Sequence, residues 1–175
     1  MPSATVVIGV DPGTKHTGYG VITEVEGQPV PLEWGVISPP PSLALPDKLS
    51  LINTALQAHI EAHHPDTIAV EALFFAKNVR SAVTLAHVRG VVLLAAAAAG
   101  LEVAEYSPLE IKQAVVGYGR ADKHQVQAMV QVLLNFRQPV KEADAADALA
   151  VALCHLHGRR VHASLKSLSA SRARS

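Results

Sequence analysis

Four acidic side chains stand at the edges of apolar segments of the sequence: Asp11, Glu71, Asp144 and Asp147. Asp11 and Glu71 each end a short apolar run that favours a buried strand, whereas the two other aspartates open a helical segment. Carboxylates avoid such positions unless they are paired or bind a metal. If the fold brings the four together, they stay ionised only with a cation between them. This set of oxygen ligands indicates a metal-dependent site for phosphodiester hydrolysis.

The spacing of Asp144 and Asp147 supports this interpretation. Residues three apart on a helix share one face, so both carboxylates lie together in its first turn. Acidic residues also favour the first turn of any helix because of its dipole, and for either aspartate alone that explanation suffices. The strongly apolar stretch that follows, residues 148–154, predicts a deeply packed helix whose first turn points at the sheet edge. Combined with Asp11 and Glu71, the pair favours a metal site.

The turn after Asp11 allows other interpretations. Pro12-Gly13, followed by Gly18-Tyr19-Gly20, has good turn chemistry for a plain hairpin. A glycine-rich turn of this kind also holds a nucleotide phosphate in the actin-like and sugar-kinase ATPases. Those proteins carry two such domains and are much longer than 175 residues, which disfavours the phosphate interpretation.

Hydrophobic periodicity predicts an α/β fold with a mixed sheet of five strands flanked by helices. Three strands joined by short turns form a meander, and two α/β units follow it. This is the order of elements in the ribonuclease H-like fold. If the fourth strand lies beside the first, Asp11 and Glu71 become neighbours at the carboxyl ends of the two strands, where open α/β sheets bind ligands. We predict strands over residues 5–10, 19–25, 32–38, 67–70 and 102–106, and helices over 47–63, 79–99, 108–116, 122–135 and 142–157.

Composition and charge divide the chain into two parts. Residues 1–157 carry ten Lys/Arg against fifteen Asp/Glu, a net charge of −5, and form one predicted globular domain. Residues 158–175 carry five Lys/Arg and no acid, and we predict a disordered basic tail. Cys154 is the only cysteine, so no internal disulfide forms. The longest apolar run, residues 91–99, is too short to span a bilayer, and we expect a cytoplasmic protein without a membrane segment.

Basic and aromatic residues cluster after the second acidic position. Phe74 and Phe75 follow Glu71 closely and either fill the core or expose a ring that stacks on a base. The surrounding cations are either an ordinary solvated surface or contacts to phosphates. Six of the ten positive charges of residues 1–157 are Lys77, Arg80, Arg89, Lys112, Arg120 and Lys123. The histidines suggest no zinc site, since His63-His64 is typical of a helix end.

Four stretches of the chain together resemble the RuvC family of Holliday junction resolvases. They are GVDPGTKHTGYGVI, VEALFFAKNVRSAVTLAHVRGV, EIKQAVVGYGRADKHQVQAMV and DAADALAVALCH, within residues 5–157. The resemblance implies a ribonuclease H-like homodimer that uses Mg²⁺ or Mn²⁺, two ions per active site. It also implies paired nicks in a four-way DNA junction that leave 5′-phosphate and 3′-hydroxyl ends, in recombination and repair. RuvA and RuvB, the branch-migration proteins, would be partners.

The resemblance also assigns roles to residues. The catalytic and metal-binding quartet falls on Asp11, Glu71, Asp144 and Asp147. Phe74 takes the place of the aromatic residue near the base pairs of the junction. The other expected DNA contacts are Lys77, Asn78, Arg80, Arg89, Lys112 and Lys123. Two other functions stay open: a junction-binding protein without cutting, and a related nuclease that acts on RNA or flaps.

Overall fold

The computed structural model describes residues 5–72 and 79–172, with side chains for all of these except 80 and 160–172. The strands are β1 (Val6–Asp11), β2 (Thr17–Val25), β3 (Gln28–Ile37), β4 (Thr67–Glu71) and β5 (Glu102–Tyr106). The helices are α1 (Leu45–His63), α2 (Val79–Ala98), α3 (Pro108–Val116), α4 (Lys123–Leu133) and α5 (Ala143–Arg172).

The strands form one mixed sheet in the order β3-β2-β1-β4-β5. The β1–β2 and β2–β3 pairs are antiparallel, whereas β4 runs parallel to both β1 and β5. The meander followed by two parallel additions confirms the predicted five-stranded mixed sheet of the ribonuclease H-like class.

Each face of the sheet has its own core because side chains alternate along a strand. Ile8 and Val10 of β1 pack with α1 and α2 on one face, whereas Val7 packs with α3, α4 and α5 on the other. The first face includes Ile52, Leu56 and Val92, and the second includes Val126 and Leu149, all of them buried. The molecule is therefore a helix–sheet–helix sandwich with β1 at its centre.

Glycines in β1 and β2 let α5 lie very close to the sheet. A Cβ added at Gly9 would lie 2.0 Å from the carbonyl oxygen of Ala148, and one at Gly18 would lie 1.9 Å from that of Asp144. Both positions need glycine because the helix backbone occupies the space of a side chain. This close contact fixes the first turn of α5 against the end of β1.

Two boundaries differ from the predictions by more than two residues. β3 begins at Gln28 rather than at residue 32, because Glu26 and Gly27 turn the chain with φ of 50° and 76° and Pro29 enters the strand. As β3 is an edge strand, a proline there interrupts no essential ladder bond. Helix α5 continues past His157 to Arg172, since Gly158 lowers helix stability without ending the helix. This helical backbone differs from the predicted disorder, and the division into a nuclease domain and a basic tail stays a prediction.

Candidate active site

The strand register brings the first two acidic residues together. Val10 of β1 pairs with Val70 of the parallel strand β4, and Asp11 and Glu71 are the next residue of each strand. Both strands therefore present a carboxylate at the same carboxyl edge of the sheet. This edge is where open α/β sheets bind their ligands.

Helix α5 supplies the other two carboxylates. Its first turns pack over Gly18 and Gly9, so Asp144 and Asp147 face the end of β1. Ligand oxygens of Asp11, Asp144 and Asp147 all lie within 4.8 Å of one another. We call these three residues the acidic cluster. Glu71 lies beside it and lines one cavity with Asp11 and another with Asp147.

The raised pKa of Asp11 indicates that the acidic cluster lacks enough positive charge to balance its carboxylates. Burial is the main cause that raises the pKa of Asp11 to about 7, and the charges of Asp147, Glu71 and Asp144 raise it further. Lys123 opposes this shift. Burial and like charges both favour the protonated form of this carboxyl group. A cation that binds between the carboxylates would lower the pKa again. Half-buried carboxylate oxygens within 4.8 Å are suitable ligands for a hard divalent cation such as Mg²⁺ or Mn²⁺.

The pKa of Glu71 is raised by the same kinds of interaction. Burial raises its pKa, the charge of Asp147 raises it further, and the charges of Lys112 and Lys123 lower it. The two lysines therefore lie near enough to balance part of the acidic charge. Lys123 does so directly, since its Nζ lies 2.7 Å from Oδ2 of Asp147.

A cleft of about 790 Å³ opens from the acidic cluster. Its lining includes residues that the sequence reasoning missed, from the loop after β1 and from the start of α2: Thr14, Lys15, His16, Ser81 and Thr84. Thr17 holds that loop by donating a hydrogen bond from Oγ1 to the carbonyl oxygen of Gly13 at 2.6 Å. The Pro-Gly break directly after Asp11 was the available sequence signal for a loop beside the site.

The expected DNA-contacting residues separate into groups. Lys112 and Lys123 lie at the site and line one cavity with Glu71 and Asp147. Arg89 is used internally: its Nη1 donates to the carbonyl oxygen of Glu71 at 2.9 Å, and its Nη2 pairs with Glu105 at 2.5 Å. Arg89 thereby fixes the end of β4, and its DNA contact stays a prediction. Phe74, Lys77, Asn78 and the side chain of Arg80 lie outside the part of the chain that the structure describes.

The chain has a ribonuclease H-like sheet with carboxylates on its central strands and on the helix packed across them. These features are those of a metal-dependent nuclease. Comparisons with known proteins then narrow the class. The family model "Crossover junction endodeoxyribonuclease RuvC" matches residues 7–155. The chain belongs to the RuvC family, and its function is that of a Holliday junction resolvase.

Individual relatives agree with this family. The crossover junction endodeoxyribonuclease RuvC of Syntrophomonas wolfei is 50% identical over 167 residues, which cover 95% of this chain and 96% of that protein. The structure of Thermus thermophilus RuvC in complex with a Holliday junction substrate is similar with a TM-score of 0.86 and 33% identity, over 90% of this chain and 96% of that chain. Yeast mitochondrial Ydc2, at 14% identity and a TM-score of 0.64, over 86% of this chain and 78% of that chain, shares the fold.

Proposed function

We propose that the chain acts as a homodimer that cuts four-way DNA junctions by symmetric paired nicks, with Mg²⁺ or Mn²⁺ held by Asp11, Glu71, Asp144 and Asp147. The observation that carries this proposal is the convergence of three aspartates within 4.8 Å at the mouth of a cleft. The products would be a 5′-phosphate and a 3′-hydroxyl, which ligase can reseal. The setting would be recombination and DNA repair in the cytoplasm.

Asp11 and Glu71 have different positions around the proposed cations. Asp11 is central, because its carboxyl group is near both aspartates of α5 and near Glu71. Two bound cations would lower the pKa of an attacking water and stabilise charge on the phosphate and the departing oxygen. Their charge would favour the ionised form of Asp11, which is the form that binds a cation. Glu71, held at the strand end by Arg89, closes the site from the β4 side.

Lysine side chains around the acidic cluster suit a polyanionic substrate. Lys123 is 56% exposed although it contacts Asp147, so it can also reach a phosphate that approaches the acidic cluster. Lys112 lines a neighbouring cavity together with Lys123, Glu71 and Asp147. Phe74, Lys77, Asn78 and Arg80 join this interface in the proposal on the strength of the family resemblance. If residues 159–175 add their five positive charges to it, their deletion weakens junction binding and flattens its salt dependence.

The exposed face of α2 supports the proposed homodimer. Val79, Val83 and Leu94 are 77%, 51% and 63% exposed. Helical spacing places them in one apolar stripe along the helix. Two identical cuts across a symmetric junction need two identical sites, and a two-fold dimer provides them. By length and composition Ser81–Ala98 could also cross a membrane, with 22% of the segment buried, and the segment lies within residues 7–155, which the RuvC family model matches.

The dimer can be tested at that stripe. Leu94→Glu should shift the sedimentation mass toward one subunit, because a buried charge at the interface is costly. Val132→Glu is the matched control, since Val132 is 68% exposed on α4. An unchanged mass for both variants would contradict an interface on α2.

RuvA and RuvB are proposed as partners in the reaction. Their addition should increase the rate of junction cutting.

The test of the whole proposal is the mapping of cuts on both strands of a synthetic mobile junction with Mg²⁺ or Mn²⁺. Wild type should give symmetric, resealable nicks. Asp11→Asn should bind the junction but lose cutting, whereas the matched variant Asp47→Asn, in the first turn of α1, should cut normally. Binding without cutting by wild type would leave a junction-binding protein. Preferred cutting of RNA or flaps would assign a different substrate.

A further inference from the structure

A second group of potential metal ligands lies on the other face of the sheet. His59 and His63 are four residues apart on α1, and Glu33 lies on the edge strand β3. One ligand atom from each lies within 4.8 Å of the other two. We propose that these three residues, here called the histidine cluster, form a second cation site that prefers Zn²⁺ to Mg²⁺.

Helix geometry accounts for the two histidines. Residues four apart on a helix are neighbours on its surface, so both rings point the same way. The face they share is the one that carries Ile52, Leu56 and Ile60 onto the sheet. Both imidazoles are therefore directed at β3 and are only 18% and 20% exposed.

A single carboxylate oxygen joins the three side chains. Oε2 of Glu33 lies 3.3 Å from Nδ1 of His59 and 2.5 Å from Nε2 of His63. In a tetrahedral zinc site with ligand bonds of roughly 2.0–2.1 Å, two ligand atoms stand roughly 3.3 Å apart. The His59 pair already has this separation, and the His63 pair needs to open by less than an ångström. Glu33 is 38% exposed, which leaves an open side for a water ligand.

Tyr19 holds this arrangement from the neighbouring strand β2. Its hydroxyl donates to Oε1 of Glu33 at 3.1 Å, so the other oxygen is directed at the histidines. Its ring stacks on His59, with centroids 3.9 Å apart and planes at 29°. A partner that orients a carboxylate ligand from behind, and a ring that fixes an imidazole, are the outer contacts expected around a protein metal site.

Donor chemistry decides which cation the histidine cluster would take. Two imidazole nitrogens and one carboxylate suit Zn²⁺, whereas Mg²⁺ prefers oxygen ligands and retains its waters. The acidic cluster, which has oxygen ligands alone, has the opposite preference. A bound Zn²⁺ would join the last turns of α1 to the edge strand and stabilise that corner of the fold.

The alternative is a metal-free group in which the histidines simply donate to Glu33. Direct Zn²⁺ titration of metal-stripped protein distinguishes the two. The experiment uses the full chain with Asp11→Asn, so that binding at the acidic cluster is reduced, and Mg²⁺ in large excess. Calorimetry gives stoichiometry and affinity, and Co²⁺ in place of Zn²⁺ gives a visible spectrum that reports nitrogen ligands and geometry.

We expect one Zn²⁺ per protomer that excess Mg²⁺ does not displace. His63→Gln and Glu33→Gln should each weaken binding by more than about 100-fold, since loss even of an outer partner costs about 10–100-fold. His64→Asn is the matched control, because His64 is exposed and its φ of 46° suits asparagine. The absence of a Zn²⁺ site, or a site that His63→Gln leaves unchanged, would overturn the proposal. Circular dichroism of each variant verifies folding.

Discussion

The acidic cluster and the histidine cluster differ in how far neighbouring side chains balance the charge of their carboxylates. In the acidic cluster, burial and neighbouring carboxylates raise the pKa of Asp11 to about 7. In the histidine cluster, a hydrogen bond from His63 is the main cause that lowers the pKa of Glu33. The first group is electrostatically incomplete without a cation, whereas the second has internal partners for its charge.

This difference shows that convergence of ligand side chains has two distinct physical meanings. Unneutralised carboxylates at a strand edge cost folding free energy and indicate a site that a cation must complete. A carboxylate already paired with two imidazoles can exist in the folded protein with or without metal. The acidic cluster is therefore the stronger functional signal, and the histidine cluster needs the direct binding test.

We expect Asp144→Asn to give the largest difference between the two clusters in cation binding and activity. Loss of a cation ligand should slow junction cutting by at least about 10³-fold, which corresponds to roughly 4 kcal/mol of transition-state stabilisation. Mn²⁺ affinity should fall with it, while Zn²⁺ binding at the histidine cluster should persist. Single-turnover cutting and Mn²⁺ titration measure the two effects, with Asp47→Asn as the control. Cutting within tenfold of wild type would remove Asp144 from the site.

The next largest effect is expected where the acidic cluster depends on backbone packing. Gly9→Ala places a Cβ 2.0 Å from the carbonyl oxygen of Ala148, so α5 must move away from β1. Overpacking of this kind costs roughly 1–3 kcal/mol of stability. The movement also separates Asp144 from Asp11 and should weaken Mn²⁺ binding.

The matched control for this prediction is Gly158→Ala in the same helix. A Cβ at Gly158 has nothing within 4 Å, so alanine there should stabilise α5 slightly. Thermal unfolding and Mn²⁺ titration of both variants measure the contrast. Equal behaviour of the two variants would show that the contact between α5 and β1 does not set the acidic cluster.

Much of the acidic cluster, and of Glu71 beside it, could be predicted from the sequence because the signals are local. Asp11 and Glu71 end apolar strands, and Asp144 and Asp147 open an apolar helix, so a known strand order is enough to join them. The predicted start of α3 at residue 108 is also confirmed, and Ser107 and Glu110 form a capping box there.

The histidine cluster could not be predicted in the same way. His59 and His63 share a helix face, but Glu33, which completes the group, lies in the edge strand β3. The sequence predicts this strand but not its contact with α1. The sequence indicates a helix end at His63-His64 rather than ligands. His64 is the exposed left-handed residue that ends α1, but His63 belongs to the histidine cluster. Contacts between an edge strand and a helix depend on packing across the sheet, which local periodicity does not specify.

The pH dependence of stability should also distinguish the clusters. The folded-state pKa of Asp11 is raised from 3.8 to about 7, so between these values the folded protein binds more protons than the unfolded chain. Its contribution to stability is therefore full below pH 3.8 and is lost as the pH rises through about 7. We expect the melting temperature of metal-free wild type to fall across this range more steeply than that of Asp11→Asn. Mg²⁺ should restore stability at the upper end by binding the folded state. Parallel curves for the two proteins would contradict this pKa assignment.

The smallest effect is expected from Tyr19→Phe, which tests the contacts around the histidine cluster. The substitution keeps the ring on His59 and removes the hydroxyl that donates to Glu33. A net hydrogen bond of about 1 kcal/mol corresponds to a loss of Zn²⁺ affinity of roughly fivefold, with more if the carboxylate also rotates. Tyr118→Phe is the matched control, since Tyr118 is 47% exposed. If both variants bind Zn²⁺ like the wild type, Tyr19 does not orient Glu33 for the cation, and the three ligands alone account for the site.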